Sequence, residues 1–239
     1  MKTAADTPTN VPTLPTPPTY IECLKWNQRL ALAFSVHWLL ILTSAAGLYI
    51  GLGLLAPLLM MWGLHPLGKA LYQLYSPFCH QLAHRSWFLF GQSPVYASER
   101  LLQLTSIDPI TPIGRLAARA FIGNTTLGWK SAYCQRDMAI YAGVLIASLL
   151  YYLLRAHQVR IRSAPWMLYF LIGIAPIALD SLIQPLSQPP FSLTFIVWRE
   201  STPMLRTSTG LLFGTINVWL AYPHLEVWMV EARKRYLQA

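Results

Sequence analysis

Within the stretch SPFCHQLAHRSWFLFG, Ser76 to Gly91, a cysteine, two histidines and an arginine fall inside seven residues. Cys79 offers a soft sulfur and His80 an imidazole nitrogen. A second pair of donors follows in YCQRD, where Cys134 and Asp137 stand three positions apart. Residues at that spacing share a face once a helix has begun. Two sulfurs, one nitrogen and one oxygen form a set suited to tetrahedral Zn2+, so Cys79, His80, Cys134 and Asp137 are the candidate metal ligands. His84, four positions after His80, is a replacement for a weaker ligand if that segment is helical. Two points weigh against the site: adjacent Cys79 and His80 cannot point the same way in a regular helix, and aspartate is uncommon in structural zinc sites.

Two other readings of the thiols stay open. An oxidising compartment would favour a Cys79 to Cys134 disulfide, and both cysteines also fit as small buried packing residues. Cys23 has no role beyond packing. A thiol enzyme for redox or hydrolytic chemistry would need a nearby base and a depressed thiol pKa. Spacing alone shows neither, so the reading leans toward a protein without catalysis.

The chain that positions these groups is 54% hydrophobic and only 11% charged, against about 25% charged residues in an ordinary soluble domain. An all-α, polytopic transmembrane helix bundle of about four spans is the expected class. The formal charge of +9 does not point to nucleic acid, because the basic residues come in small groups between apolar runs. No phosphate loop, GxSxG elbow, HExxH or dinucleotide fingerprint occurs.

A span needs about 20 mainly apolar residues. The candidates are residues 30–50, 138–154, 166–183 and 205–222. The first apolar run continues from Leu30 to Leu64, which is too long for one crossing. A break at Gly51, Gly53 and Pro57, followed by a short interfacial or re-entrant helix, is therefore expected. Pro165 opens the third span as a first-turn proline and Pro176 should kink it. Pro223 should close the fourth.

Residues 1–25, rich in proline and threonine, read as a disordered tail, residues 26–222 as the membrane domain, and 223–239 as a basic tail on anionic headgroups. Four crossings put both termini on one side. Lys25, Arg29, Arg155, Arg160, Arg162 and the RKR run at 233–235 lie on that side, with Lys2, whereas the short loop from Gln184 to Pro203 offers only Arg199. The positive-inside rule then makes both termini cytoplasmic in a cell-membrane protein. Residues 65–137 become a small extracytoplasmic helical cap, with Ser93 or Ser98 as one helix start, Thr111 and Pro112 as another, and Gly123 as a stop.

Depth follows from the rise of about 1.5 Å per helical residue. Cys134, Arg136 and Asp137 sit at the outer mouth of the second span, Asp180 near the outer end of the third, and Arg206 and Thr209 at the outer start of the fourth. Asp180 is the acidic residue inside a span, where an ionisable group costs about 2.5 to 3.5 kcal/mol. Arg206 is its expected partner. The pair reads either as part of a substrate, proton or metal site or as a tie between two spans. His37 reads as a packed residue. Gly210 and Gly214 form a GxxxG pattern read as ordinary helix contact.

FCHQLAHRSWFLFG, YCQRDMAIYAG, GIAPIALDSLIQ and LRTSTGLLFG, taken in order, resemble the motifs of a family of predicted bacterial membrane proteins called domain of unknown function 2085. The resemblance runs from about Leu55 to Gly214. It implies motif positions at Cys79, His80, Gln81, Arg85, Ser86, Gly91, Cys134, Arg136, Gly173, Pro176, Asp180, Arg206, Thr209 and Gly210. Asp137 stands where that family has its second motif cysteine. An insertion of roughly Gln92 to Gly128 separates the two halves of the cysteine motif. The family carries no established activity. The expectation is a membrane protein with a metal-binding site at its outer face, supported by His84, Arg85, Arg136, Asp180, Arg206 and Thr209. The alternative is a structural or accessory subunit of a membrane complex.

Overall fold

The computed structural model describes residues 25–187 and 200–238. The proline-rich tail, Cys23, Arg199 and most of the loop before the last helix lie outside them. The contacts divide the chain into Leu39–Glu226 and a second unit made of the flanking segments. In the second unit Arg233 Nε donates to the Ser35 carbonyl at 3.0 Å.

Helix α1, Trp26–Met61, is unbroken for 36 residues. At 1.5 Å per residue it is about 54 Å long, against about 30 Å of bilayer hydrocarbon. The expected break does not occur, and Gly53 has another reason for being there. A Cβ at Gly53 would lie 1.8 Å from the Tyr133 ring, so the missing side chain admits an aromatic ring. The Tyr133 hydroxyl donates to the Ile50 carbonyl at 3.0 Å, and the Tyr75 hydroxyl donates to the Tyr49 carbonyl. Tyr75 ends α2, His65–Tyr75, which thus folds back along the end of α1.

The cap is not purely helical. Its centre is a three-stranded antiparallel sheet of order β1-β3-β2, formed by β1, Ser86–Leu89, β2, Gly123–Asn124, and β3, Gly128–Cys134. A one-turn 3-10 helix, Ala83–Arg85, precedes β1, and α3, Ser98–Thr105, and α4, Pro112–Ala120, lie between β1 and β2. Thr111 caps α4 as expected by accepting the Gly114 N–H at 3.1 Å. The condition for His80 and His84 to share a helical face is not met: His80 lies outside any helix and His84 in the one-turn 3-10 helix, ahead of SWFL, whose burial alternates as a strand's does. Ser86 pairs with Cys134, Phe88 with Lys130 and Leu89 with Trp129. One cluster, of Ala56, Met60, Tyr72, Tyr75, Cys79 and Tyr133 with Ala132, joins α1, α2 and β3. Another, of Ala83, Phe88, Tyr96, Leu101, Ala118 and Leu127, fills the far side of the cap.

From β3 the chain passes directly into α5, Gln135–Ala156. Then follow α6, Trp166–Leu168, a π-helical turn over Tyr169–Ile174, and α7, Ala175–Ser187. The widened turn sits just before Pro176, whose ring would otherwise meet the carbonyl four residues back. The last helix, α8, Pro203–Gln238, does not stop at Pro223 but runs through it for 36 residues. Proline deprives the Trp219 carbonyl of its usual donor, and the Ala164 N–H supplies one at 3.4 Å. Among the described residues, three helical stretches are long and apolar enough to cross a membrane: Trp26–Met61, Gln135–Ala156 and Trp166–Ile183. The expected fourth span falls inside α8, where Arg206, Thr207, Ser208, Thr209 and Asn217 dilute the apolar run. Nevertheless α8 packs closely on α5: a Cβ on Gly214 would lie 2.0 Å from the Ile140 carbonyl oxygen, and one on Gly143 2.6 Å from that of Leu211.

Candidate functional site

Cys79 ends the turn after α2, its N–H bonded to the Tyr75 carbonyl at 3.0 Å. The chain then reverses at Gln81, which adopts a left-handed φ of 52°. The side chain of Gln81 sets that reversal, since Nε2 donates to the Tyr72 and Ala132 carbonyls, each at 2.8 Å. Its own carbonyl accepts from Lys130 Nζ at 2.6 Å, and the same ammonium reaches the Arg119 carbonyl at 2.7 Å. Lys130 is fully buried, and burial pushes its pKa down to about 7. Gln81 and Lys130 thereby fix Cys79 against the end of β3.

Cys134 caps α5, accepting the Asp137 N–H on its sulfur at 3.5 Å. Its own N–H donates to Cys79 Sγ at 3.1 Å. One donor atom from each of Cys79, Cys134 and Asp137 lies within 4.8 Å of the others. Cys79 is buried, while Cys134 and Asp137 are half-buried. Both thiols are free, and the bridge considered from sequence is not formed. The hydrogen bond between the thiols raises the pKa of Cys79 and lowers that of Cys134, and burial raises Cys79 further. The first proton therefore leaves Cys134, whose sulfur also faces the N-terminus of α5.

The remaining expected residues divide. His80 is exposed and outside this group, because the turn at Gln81 aims it away. His84 is buried elsewhere, with Nε2 accepting from Arg85 Nε at 3.1 Å and lying 3.3 Å from Glu200 Oε1. Burial, and then Arg85, Arg206 and Arg115, depress its pKa to about 3. A nitrogen that already accepts from Arg85 cannot donate to Glu200, so the Glu200 contact is no ion pair. Ser98 Oγ holds the other oxygen of Glu200 at 2.6 Å.

Asp180 does not pair with Arg206. Its carboxylate takes Arg136 Nη2 and Ser201 Oγ at 2.8 Å, while Arg136 Nη1 reaches Ser181 Oγ at 2.6 Å. Arg206 turns instead to Gln135 Oε1 at 3.3 Å and Glu200 Oε1 at 3.4 Å. Thr209 bonds back to the Leu205 carbonyl at 2.7 Å and, with Asp180, Ser201 and Pro176, lines a cavity of about 230 Å³. Glu200, Gln135 and Lys130 were not singled out from sequence, and Ser98 only as a helix start. Only the buried lysine left a signal, as a charge within the alternation of GWKSAYC.

The family described as "Predicted membrane protein", domain of unknown function 2085, matches residues 115–220. That range includes Cys134, Asp137, Asp180 and Arg206 and stops short of the Cys79 turn. An uncharacterized protein of Methanocaldococcus jannaschii is 27% identical over 154 residues, covering 64% of this chain and 67% of that protein. No solved structure matches. With three long apolar helices, the family match supports a membrane protein.

Proposed function

We propose that this membrane protein holds a soft divalent cation of the zinc class through Cys79, Cys134 and Asp137. The observation that carries the reading is the approach of their donor atoms to within 4.8 Å of one another. Two thiols and a carboxylate suit zinc, and three protein ligands leave a fourth position for water or an exchanging ligand. The lowered pKa of Cys134 helps, because the thiolate is the ligand form.

The proposal extends to topology. In it α8 is the fourth crossing, packed through Gly210 and Gly214 on α5, with Arg206 satisfied by Gln135 and Glu200. Both termini are then cytoplasmic and the cap with its metal site is extracytoplasmic, in keeping with the basic residues beside the termini.

Elemental analysis of the purified protein, combined with thiol counting, tests the site. The expected result is one zinc-class ion per chain, absent from a Cys79→Ala/Cys134→Ala variant, with thiols that alkylate only after chelation. Metal-free, folded protein in which both thiols alkylate without a chelator, and which takes up no added Zn2+, would overturn it.

A further inference from the structure

The lower end of α2 returns to the level at which α5 begins. Tyr75 donates to the Tyr49 carbonyl, and Tyr133, just ahead of α5, to that of Ile50. Gln135–Ala156 is about 33 Å long, enough for the hydrocarbon core of about 30 Å. Tyr49, Tyr75 and Gln135 therefore stand at the cap-side edge of the hydrocarbon. Above them α1 rises roughly 16 Å further to Met61, and α2 comes back beside it with Gly68 against Met60.

Two cavities flank the end of α2 at this edge. On the side of α1, one of about 300 Å³ is lined by Ala45, Leu48, Leu52, Leu74 and Phe78 with two tyrosines and no charged side chain. Leu74 and Phe78 are 55% and 74% exposed, as residues that meet acyl chains are. On the side of α4, a groove of about 400 Å³ is lined by Lys69, Gln73, Ser76, Leu116 and Arg119 among others, and no carboxylate stands in its wall. The Lys69 side chain forms no hydrogen bond or ion pair among the described residues, and Arg119 forms no ion pair. Arg119 Nη2 donates to the Ser76 carbonyl at 2.9 Å, which holds the guanidinium at the groove, and the Arg119 carbonyl is fixed from behind by Lys130. Leu116, in the same wall, is 69% exposed.

We propose that the groove between α2 and α4 seats the headgroup of an anionic phospholipid, with its phosphate against Lys69 and Arg119. Two cations without a counter-charge call for an anion, and their place just above the hydrocarbon edge, with Leu116, Leu74 and Phe78 laid bare around them, calls for one that carries acyl chains. The Arg119 fork matches phosphate oxygens, and Lys69 adds a mobile point charge. The groove shares no residue with the proposed metal centre.

Protein in dodecyl maltoside is offered phosphatidylglycerol and phosphatidylcholine with the same acyl chains, in equal amounts, and binding is read by native mass spectrometry. One phosphatidylglycerol per chain is expected, bound at least tenfold more tightly than phosphatidylcholine. Lys69→Glu, which breaks no bond within the fold, should weaken phosphatidylglycerol binding at least tenfold, and Lys69→Arg should retain it. Arg100→Glu, the same change of charge on the exposed face of α3, should leave it unchanged, as should Cys79→Ala/Cys134→Ala. The proposal is overturned if the two lipids bind alike, if folded Lys69→Glu prefers phosphatidylglycerol as strongly as the parent, or if Arg100→Glu weakens the preference as much as Lys69→Glu does.

Discussion

The guanidinium of Arg136, at the first turn of α5, clasps the carboxylate of Asp180 in the middle of α7, 44 positions later in the chain. The Asp180 side chain is 6% exposed and that of Arg136 19%. Removing one partner strands a buried charge, whereas removing both charges does not. Arg136→Gln should therefore cost about 3 kcal/mol of stability, and Asp180→Asn in the same chain should recover much of it. Unfolding of the two single variants and the double variant in detergent measures the coupling. Additive losses would show that the two side chains do not act as a pair.

The α5 and α8 backbones meet where Gly214 faces Ile140 and Gly143 faces Leu211. Gly214→Val places atoms where the Ile140 carbonyl already sits, and no flexible side chain is there to give way. A loss of about 1 to 3 kcal/mol is expected for such overpacking, read as a lower unfolding temperature. Gly51→Val, where an added Cβ meets nothing within 4 Å, serves as the matched control and should change stability far less.

His84 predicts a pH dependence. Its folded pKa of about 3 lies below the ordinary 6.5, so between those values the unfolded chain binds the extra proton. Stability from this group is complete above pH 6.5 and falls as the pH drops from there toward 3. Arg85, Arg206 and Arg115 oppose the imidazolium, and nearby Glu200 does not reverse their effect. His84→Gln should flatten that part of the stability curve. An unchanged slope in the variant would assign the acid sensitivity to other groups.

Metal retention discriminates among the candidate ligands. His80→Ala should keep the full metal content, because His80 stands outside the donor group. Asp137→Ala, which removes one of three donors, should lower affinity at least tenfold in a competition with a chromogenic chelator. Loss of metal in His80→Ala would place the histidine in the coordination shell.

Lys130 should prove structural. Its ammonium ties the Gln81 turn to the end of α4 through two carbonyls, so Lys130→Met leaves both acceptors buried and unpaired. A cost of about 1 to 3 kcal/mol per lost acceptor is expected, together with weaker metal retention as Cys79 is released. Full stability with reduced metal would instead give Lys130 a role at the site itself.

Much of this was legible in the chain. Low charge and long apolar runs mark a membrane protein because hydrocarbon accepts little else. Helical rise alone sets Cys134, Arg136, Asp180 and Arg206 at one expected level, and within the fold Arg136 meets Asp180 and Arg206 meets Gln135. Thr111 and Pro112 mark the start of α4 because capping is a local interaction.

Tertiary structure decided the rest. The spacing sets Arg136 and Arg206 at one expected depth and does not say which of them reaches Asp180. The answer depends on how the helices are turned about their own axes, which is set by contacts such as Gly214 on Ile140. Pro57 and Pro223 look like helix ends locally, yet both helices continue, and at Pro223 a distant N–H from Ala164 serves the carbonyl that the proline leaves free. The histidines spaced for one helical face lie instead on a turn and a 3-10 helix, because pairing of Ser86 with Cys134 claims the segment for a sheet. Depth is a property of one chain segment and can be read along it. Rotation and pairing belong to two segments at once, so they exist only after the chain has packed.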